Sequence, residues 1–446
     1  MQMKSKRRLL ALLLGPTLGA GLLLHTSAAA ALGLVEAYDA ALKNDPAYRS
    51  AYYANEGAKE NVALGRSSLL PSVTANYFNG KDHSNITVDS VTRPYDYSSK
   101  TASVELRQSI VNFDGIARYK QGKAQANASE ADFENEQANV AVRVVGAYIE
   151  ALFKEDQLAL ARVERDMYRE RMKVNEQLFA KGEGTRTDKL ETKARLDLAE
   201  AQVLEAQDAL VETRDTLAGI IGGEVDALTP LNPDFHLLPA DTLGFEAWKK
   251  IALERNPELK SKLYVVEIAH QEINKARAGH LPKLDFVASY TKADSDTINT
   301  IDQASTTRSI GIQLTIPLYS GGQVSASSRQ AVAGQERARA DLQVETDKVL
   351  NELRKNYHTL TSSVERIDAL DKAVESSKLL ITATTQSIKG GERINLDLLD
   401  AQRQLYTSQR DLAQARYGYL MASLKLRAGA GLFSADDVRQ MAVFFR

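Results

Sequence analysis

Two charged turns, each with a glycine, are the places in this sequence where side chains could bind ions or one another. Gly182 lies six residues before Asp188, and Gly391 lies six residues before Asp397. Glycine readily adopts the left-handed backbone conformation that ends a helix. An aspartate near the next helix start can cap that helix, as Asp188 could with Glu191 three residues later. Each turn therefore predicts the tip of a helical hairpin, and capping and ion binding both remain open as roles.

The second turn contains a pair of carboxylates. Asp397 and Asp400 are three residues apart, so they share one face of the helix predicted there. If that face lined a tunnel made from three chains, the carboxylates would crowd one constriction, raise one another's pKa and bind cations. The alternative is a solvated helix start, where the helix dipole favours acidic side chains.

The other polar residues do not form a catalytic set. His270 and His280 are ten residues apart, which is not a usual spacing for metal ligands. The chain has no cysteine, and no Gly-Lys-Ser/Thr sequence follows its glycine pairs, as a phosphate-binding loop requires. We therefore expect no enzymatic activity, no metal and no cofactor.

The start of the chain has the features of a secretory signal peptide. Basic residues at positions 4–8 precede an apolar stretch at 9–24, and small residues follow. We expect residues 1–31 to form this segment. The formal net charge is −2, and loss of the basic segment makes the remainder more acidic, which argues against a nucleic-acid partner. No later run of about 18 apolar residues predicts a membrane helix, so any membrane span must consist of strands.

The sequence contains one structural unit twice. Pro46 and Pro71 recur 211 residues later as Pro257 and Pro282, with similar neighbours. Each unit has the order helix, strand, strand, very long helix, helix. The predicted divisions are a first repeat, a linker, a second repeat and a C-terminal segment: residues 32–227, 228–242, 243–431 and 432–446.

Alternating apolar residues predict a pair of strands in each repeat. The alternation is clear at 284–290 and 310–318, and weaker at 104–110. The polar stretches 79–100 and 291–307 are predicted to be loops. Segments of about ten residues with one apolar face suit a membrane barrel, although a soluble hairpin packed on a core has the same pattern.

Four strands cannot close a barrel by themselves. Unpaired edges in lipid would leave backbone N–H and C=O groups without partners. Three chains would supply twelve strands and enclose a lumen, whereas eight strands from two chains would enclose only side chains. A pore therefore favours a trimer.

Apolar residues at every seventh position predict antiparallel coiled-coil hairpins after the strands. The second repeat contains the longer series: Leu353, Leu360, Ile367, Val374, Ile381 and Ile388. A helix of about 65 residues would be about 95 Å long.

Taken together, these motifs resemble the TolC-type outer-membrane efflux/secretion protein family. The motifs are "RSSLLP" and "RAGHLP" before strands, "IPLYSGG" after one, and the two Gly-to-Asp turns. The resemblance extends over residues 34–431. It implies a mixed α and β fold: a trimeric outer-membrane β-barrel with four strands per chain, continuous with a long periplasmic α-helical coiled-coil barrel.

The family's function is the export of proteins or small molecules. The resemblance implies an outer-membrane exit duct for type I protein secretion, small-molecule efflux or both, gated at its periplasmic end. The implied partners are two further copies of the chain, outer-membrane lipid, a periplasmic adaptor, and an inner-membrane ABC or other efflux pump. The alternative is a periplasmic or surface coiled-coil structural protein without a pore, which would not explain the strand pairs.

The resemblance also implies roles for the charged turns. Asp397 and Asp400 match a constriction of paired aspartates that binds cations. Four residues match a latch that holds the tunnel closed: Thr187, Asp188, Arg393 and Arg416. A tyrosine that contributes to this latch in the family is replaced here by Ile388.

Overall fold

A computed structural model describes residues 31–232, 234–237, 243–297, 300–390, 392–393 and 395–445. Residues 1–30 of the predicted signal peptide, Gly391 and part of the predicted linker lie outside the described residues. The first half contains α1 (Leu34–Asn44), α2 (Pro46–Lys59), α3 (Asn61–Ser67), β1 (Ser72–Val88), β2 (Val91–Val111), α4 (Phe113–Ala180) and α5 (Arg186–Ile221). The second half contains α6 (Phe245–Arg255), α7 (Pro257–Arg277), a 3-10 turn (Ala278–His280), β3 (Lys283–Thr297), β4 (Thr300–Thr315), α8 (Gln323–Lys389), α9 (Asn395–Gly429) and α10 (Ala435–Ala442).

The same helix cap, a polar residue followed by proline, occurs near the start of both halves. Asp45 and Asn256 directly follow helices α1 and α6, and the next helices begin with Pro46 and Pro257. The Asp45 and Asn256 side chains each accept a 2.9 Å hydrogen bond from a backbone N–H in the first turn of the following helix. Proline at the first helical position has no N–H to leave unpaired. The duplicated sequence thus produces duplicated caps.

The four strands form one antiparallel sheet in the order β1-β2-β3-β4. The prediction of loops at 79–100 and 291–307 was wrong, because the strands continue through the described parts of these stretches. β1 and β2 meet at a two-residue turn, Asp89 and Ser90, with φ of 51° and 65°. Positive φ at both positions suits a tight hairpin. Polar side chains do not prevent strand pairing here, because the hydrogen bonds between the strands are made by backbone groups.

One face of the sheet is an exposed apolar band. On β4, the side chains of Ile310 and Ile312 are 79% and 67% exposed. The register aligns this face across the sheet, and its apolar members are Val73, Ala75, Tyr77, Ala102, Val104, Leu106, Leu284, Phe286, Ala288, Tyr290, Ile310, Ile312 and Leu314. Lys100, Lys292 and Arg308 lie on the same face at the border of the band, where Lys292 pairs with Ala102 and Arg308 pairs with Tyr290. An apolar band with tyrosines and cations at its border suits lipid contact.

Two antiparallel coiled-coil hairpins, α4 with α5 and α8 with α9, make up most of the length of the chain. Helices α4 and α8 have 68 and 67 residues, or about 100 Å each. The predicted seven-residue repeat is confirmed near the middle of α8, where Leu353, Ile367 and Val374 are buried. Beyond Val374, the apolar members of the series, Ile381 and Ile388, are only half-buried. No helix within the described ranges has both the length and the apolar composition of a membrane-crossing segment.

The main core lies where the ends of several helices and two irregular segments meet halfway along the molecule. Tyr148 of α4 is fully buried there, and its hydroxyl lies 2.9 Å from the Leu32 carbonyl and 3.0 Å from the Thr229 carbonyl. Burial raises the pKa of Tyr148 to about 12, so it stays a neutral donor. This contact ties the segments before α1 and after α5 to α4.

Candidate functional site at the helical tips

The first hairpin tip is closed by a reciprocal cap. Gly182 has the predicted left-handed conformation, with φ of 77°. The N-cap of α5 is Thr185, whose hydroxyl accepts a 3.1 Å hydrogen bond from the Asp188 N–H. The Asp188 carboxylate accepts a 3.4 Å hydrogen bond from the Thr185 N–H. Asp188 therefore takes part in the cap, but as the third residue of the helix and not as its N-cap residue. Glu191 does not complete the cap, because its carboxylate accepts a 2.8 Å hydrogen bond from the Arg195 guanidinium.

At the second tip, α9 packs on the first hairpin. Leu399 is buried against Tyr168 of α4 and Ala199 of α5. At about 100° per residue, Asp397 and Asp400 lie on a different side of α9 from this contact. Asp397 is half-buried and Asp400 is exposed, so this carboxylate face is available to line a constriction.

A groove of about 370 Å³, here called the tip groove, lies between the two hairpin tips. Asp188 and Arg393, two of the predicted latch residues, both line it. Ile388 lines it as well, and Arg171 and Arg195 add two further cations. The structure thus brings an acidic turn of the first repeat and a basic turn of the second repeat to one groove.

Arg171 is a groove residue that the sequence did not single out. Burial lowers the pKa of its guanidinium, and the nearby charge of Asp188 offsets part of that effect. An arginine in the middle of a polar helix face has no distinguishing pattern in a single sequence. Its proximity to Asp188 appears only when the hairpin is folded.

The other two latch residues lie elsewhere. Thr187 is exposed on the first turn of α5 and is not among the groove-lining residues. Arg416 lies 21 residues into α9, about 30 Å from the helix start. Its guanidinium donates a 3.0 Å hydrogen bond to Asp371 of α8 and lies 5.3 Å from the centre of the Phe235 ring. Within one chain, the structure does not bring Arg416 to Thr187 or Asp188.

A further polar link joins the two repeats above the tip groove. The Tyr417 hydroxyl of α9 donates a 3.0 Å hydrogen bond to the Asp156 carboxylate of α4. Burial raises the pKa of both groups. The two residues are 261 positions apart, so sequence spacing could not have indicated the contact.

Across the part of the chain that the structure describes, no three histidine or acidic side chains are grouped so that they could hold a metal ion.

A chain with two coiled-coil hairpins, an open four-stranded sheet and a lipid-compatible sheet face has the fold of an outer-membrane channel subunit. The family model of the outer membrane efflux protein matches residues 37–223 and again residues 248–432. The chain belongs to this family, as its resemblance to TolC-type proteins predicted.

Two of the relatives that match the chain over nearly its whole length are named for protease secretion. The alkaline protease secretion protein AprF of Pseudomonas aeruginosa is 38% identical over 433 residues, covering 96% of this chain and 90% of that protein. The proteases secretion protein PrtF of Dickeya chrysanthemi is 34% identical over 433 residues, covering 95% of this chain and 93% of that protein. In fold, the chain resembles the Campylobacter jejuni CmeC outer membrane channel, with a TM-score of 0.78 and 18% identity, covering 93% of this chain and 90% of that one.

Several sequence predictions are thereby confirmed. The protein is a mixed α and β channel protein with an internal duplication. It is an outer-membrane export channel with periplasmic helices, and it is not an enzyme. A coiled-coil structural protein without a pore does not fit this family. The boundaries at residues 32, 228, 243 and 432 remain predictions.

Proposed function

We propose that this protein is the outer-membrane exit duct of a type I system that secretes proteins, proteases among them. The observation that supports this substrate class is the 38% identity with a protein named for alkaline protease secretion, over 96% of the chain. One relative named for another cargo is less similar: a pyoverdine export protein is 24% identical and covers 71% of the chain. Small-molecule efflux is the second candidate, because the family includes such proteins.

The working unit is a homotrimer. β1 pairs with β2 and β4 with β3, so each leaves one edge open within the described chain. Open edges beside lipid are unfavourable, since their backbone groups have no water to bind. Three copies place each β4 beside a β1 and supply twelve strands, enough to enclose a lumen.

The tip groove is the latch of the periplasmic gate. Arg393 can donate two parallel hydrogen bonds to a carboxylate such as Asp188, in its own chain or in a neighbouring copy. Arg416 holds α9 to α8 higher up, through Asp371. In the family, a tyrosine at the position of Ile388 adds a hydrogen bond to the latch. Ile388 supplies an apolar contact instead, so the pair of Arg393 and Asp188 contributes most of the stability of the closed state.

Opening is a shift of the α8–α9 hairpin relative to α4 and α5. A periplasmic adaptor and an inner-membrane ABC or other pump would bind near the tips and favour the open packing. This is a two-state change of a packed element. With the latch separated, the faces that contain Asp397 and Asp400 move apart and the tunnel widens.

Deletion of the gene, with two measurements on the same strain, tests the proposed cargo. We expect loss of a secreted protease from the medium, its accumulation in the cell, and little change in sensitivity to toxic small molecules. The unmodified gene on a plasmid should restore secretion. Normal secretion together with increased drug sensitivity would support efflux and contradict the proposal.

A further inference from the structure

The sheet face opposite the apolar band lines the lumen of the proposed barrel. The exposed apolar side chains require lipid, which leaves the other face toward the pore. Beside the upper part of the band, the lumen face of β2 and β3 contains small or polar side chains such as Ser103 and Thr291. Among the described residues of these two strands beside the band, the charged lumen-facing side chains are all near the base: Glu105, Arg107, Lys283 and Asp285.

Asp285 is the centre of this charged group. Its side chain is only 5% exposed, and it accepts a 2.8 Å hydrogen bond from the Ser109 hydroxyl. The Lys283 ammonium lies 3.3 Å from its carboxylate, and the Arg107 guanidinium lies 3.7 Å away. Arg107 is also 3.7 Å from Glu105. The two cations are almost half exposed, so they face the lumen while Asp285 lies beneath them.

The group is anchored where the barrel meets the helices. The Ser109 hydroxyl accepts a 3.5 Å hydrogen bond from the side-chain amide of Asn112. The side-chain oxygen of Asn112 caps α4 by accepting a 3.0 Å hydrogen bond from the Gly115 N–H. Asp285 is therefore connected through Ser109 to the start of one of the two longest helices. A charge fixed at this height acts on everything that passes from the tunnel into the barrel.

We propose that Glu105, Arg107, Lys283 and Asp285 form a charge-compensated collar that keeps the outer-membrane section from selecting strongly between cations and anions. The proposal rests on the proposed function, because it requires three copies around one lumen. Each chain contributes two cations and two carboxylates, so the collar has no net charge. A ring of one sign would bind ions of the opposite sign and repel the others.

A neutral collar suits a particular cargo, namely extended polypeptide that contains both acidic and basic residues. A cationic collar would retain acidic segments of such a chain, and an acidic collar would retain basic ones. The compensated collar contrasts with Asp397 and Asp400 at the other end of the molecule, which present carboxylates alone. The two ends of the duct thus differ in how they interact with cations and anions.

Reversal potentials in a KCl gradient across planar bilayers test the collar. The channels contain Asp397→Asn and Asp400→Asn, so that the periplasmic end does not dominate. Asp285→Asn leaves two cations facing one carboxylate in each chain, and we expect the K⁺ to Cl⁻ permeability ratio to fall about twofold. Arg107→Gln should raise the same ratio by about twofold.

Asp294→Asn is the matched control, because Asp294 is on the same strand but on the opposite face. It should leave the ratio unchanged. If Asp285→Asn does not assemble, Arg107→Gln and Lys283→Gln decide the question, since both should shift the ratio toward K⁺. Channels that form normally but show no shift, or a shift of Arg107→Gln and Lys283→Gln toward Cl⁻, overturn the collar and leave the duct intact. Failure of the unmodified protein to form any channel contradicts the proposed function itself.

Discussion

At the scale of single residues, the carboxylates Asp397 and Asp400 are the proposed cation-binding groups of the periplasmic end. Asp397 and Asp400 share a face of α9 that differs from the face on which Leu399 packs against the first hairpin. In a trimer, that face repeats around the axis and concentrates negative charge. Removal of the carboxylates should therefore change how cations interact with the channel.

We expect Asp397→Ala with Asp400→Ala to weaken block of the channel by multivalent cations at least about tenfold, because closely spaced carboxylates bind such ions together. Single-channel current recorded while the blocking cation is titrated measures the effect. Glu246→Ala with Asp436→Ala, which removes two carboxylates from α6 and α10, is the control. Equal block in all three proteins would show that the aspartates do not line the constriction.

The Asp156 carboxylate provides a test through pH. Burial raises its pKa above the ordinary value of 3.8. A carboxyl with a raised folded-state pKa binds its proton more readily when folded, so its contribution to stability grows as pH falls through that pKa and is lost as pH rises. Asp156→Asn keeps an acceptor for Tyr417 without the charge.

We expect Asp156→Asn to raise the thermal unfolding midpoint by a few degrees at pH 7, and the difference to shrink toward pH 4. Circular dichroism of the detergent-solubilised protein at a fixed heating rate measures this. Asp208→Asn, on the exposed surface of α5, should leave the midpoint within about 1 °C. A lower midpoint for Asp156→Asn at pH 7 would show that the ionised pair stabilises the fold.

How far individual residues could be predicted depended on their separation in sequence. Gly182 was predicted correctly from its turn, because the requirement is local. Asp188 and Arg393 were proposed by resemblance, and the fold places both in the tip groove. The pairing of Asp156 with Tyr417 had no pattern to indicate it, since it depends on how two distant helices pack.

At the scale of elements, stability is unevenly distributed along the coiled coils. Leu353 is 1% exposed and packs with Trp248 and Leu426 in a buried cluster. Ile388 belongs to the same seven-residue series but is half-buried at the tip. A hairpin that moves at its tip and is fixed at its middle is what a gate requires.

We expect Leu353→Ala to reduce the free energy of unfolding by about 2–5 kcal/mol, because it leaves a cavity in packed surroundings. Ile388→Ala should reduce it by about 1 kcal/mol, since solvent or small shifts fill the space. Denaturant unfolding followed by circular dichroism compares the two. Similar losses would mean that the tip is packed as firmly as the middle.

The strands show where local pattern was insufficient. Alternation located the apolar parts of both hairpins, but the polar stretches beyond them were predicted to be loops. Strand pairing there depends on backbone hydrogen bonds and on the two-residue turn at Asp89 and Ser90. The heptads were predicted well, because one face of a helix repeats its environment at every second turn.

At the scale of the whole molecule, the open sheet edges predict closure by three copies. The chain has no cysteine, so Asn76→Cys on β1 and Thr307→Cys on β4 provide unique positions for a flexible bismaleimide. We expect covalent dimers and trimers and nothing larger, because a closed ring has no free edge. Either single-cysteine variant is the control and should stay monomeric. A ladder that continues beyond three copies would contradict the closed trimer.

The current through purified protein in planar bilayers tests the gated duct most directly. An exposed ion pair contributes about 0.2–1 kcal/mol, and the proposed latch would contain three symmetry-related pairs. Arg393→Ser with Asp188→Ala should therefore raise the mean current per channel by roughly an order of magnitude, because a larger fraction of channels is open. Arg439→Ser, which removes an exposed cation that pairs with Asp436 on α10, should leave the current as small as that of the unmodified protein. A double variant that conducts no better than the unmodified protein would contradict the latch at the tip groove.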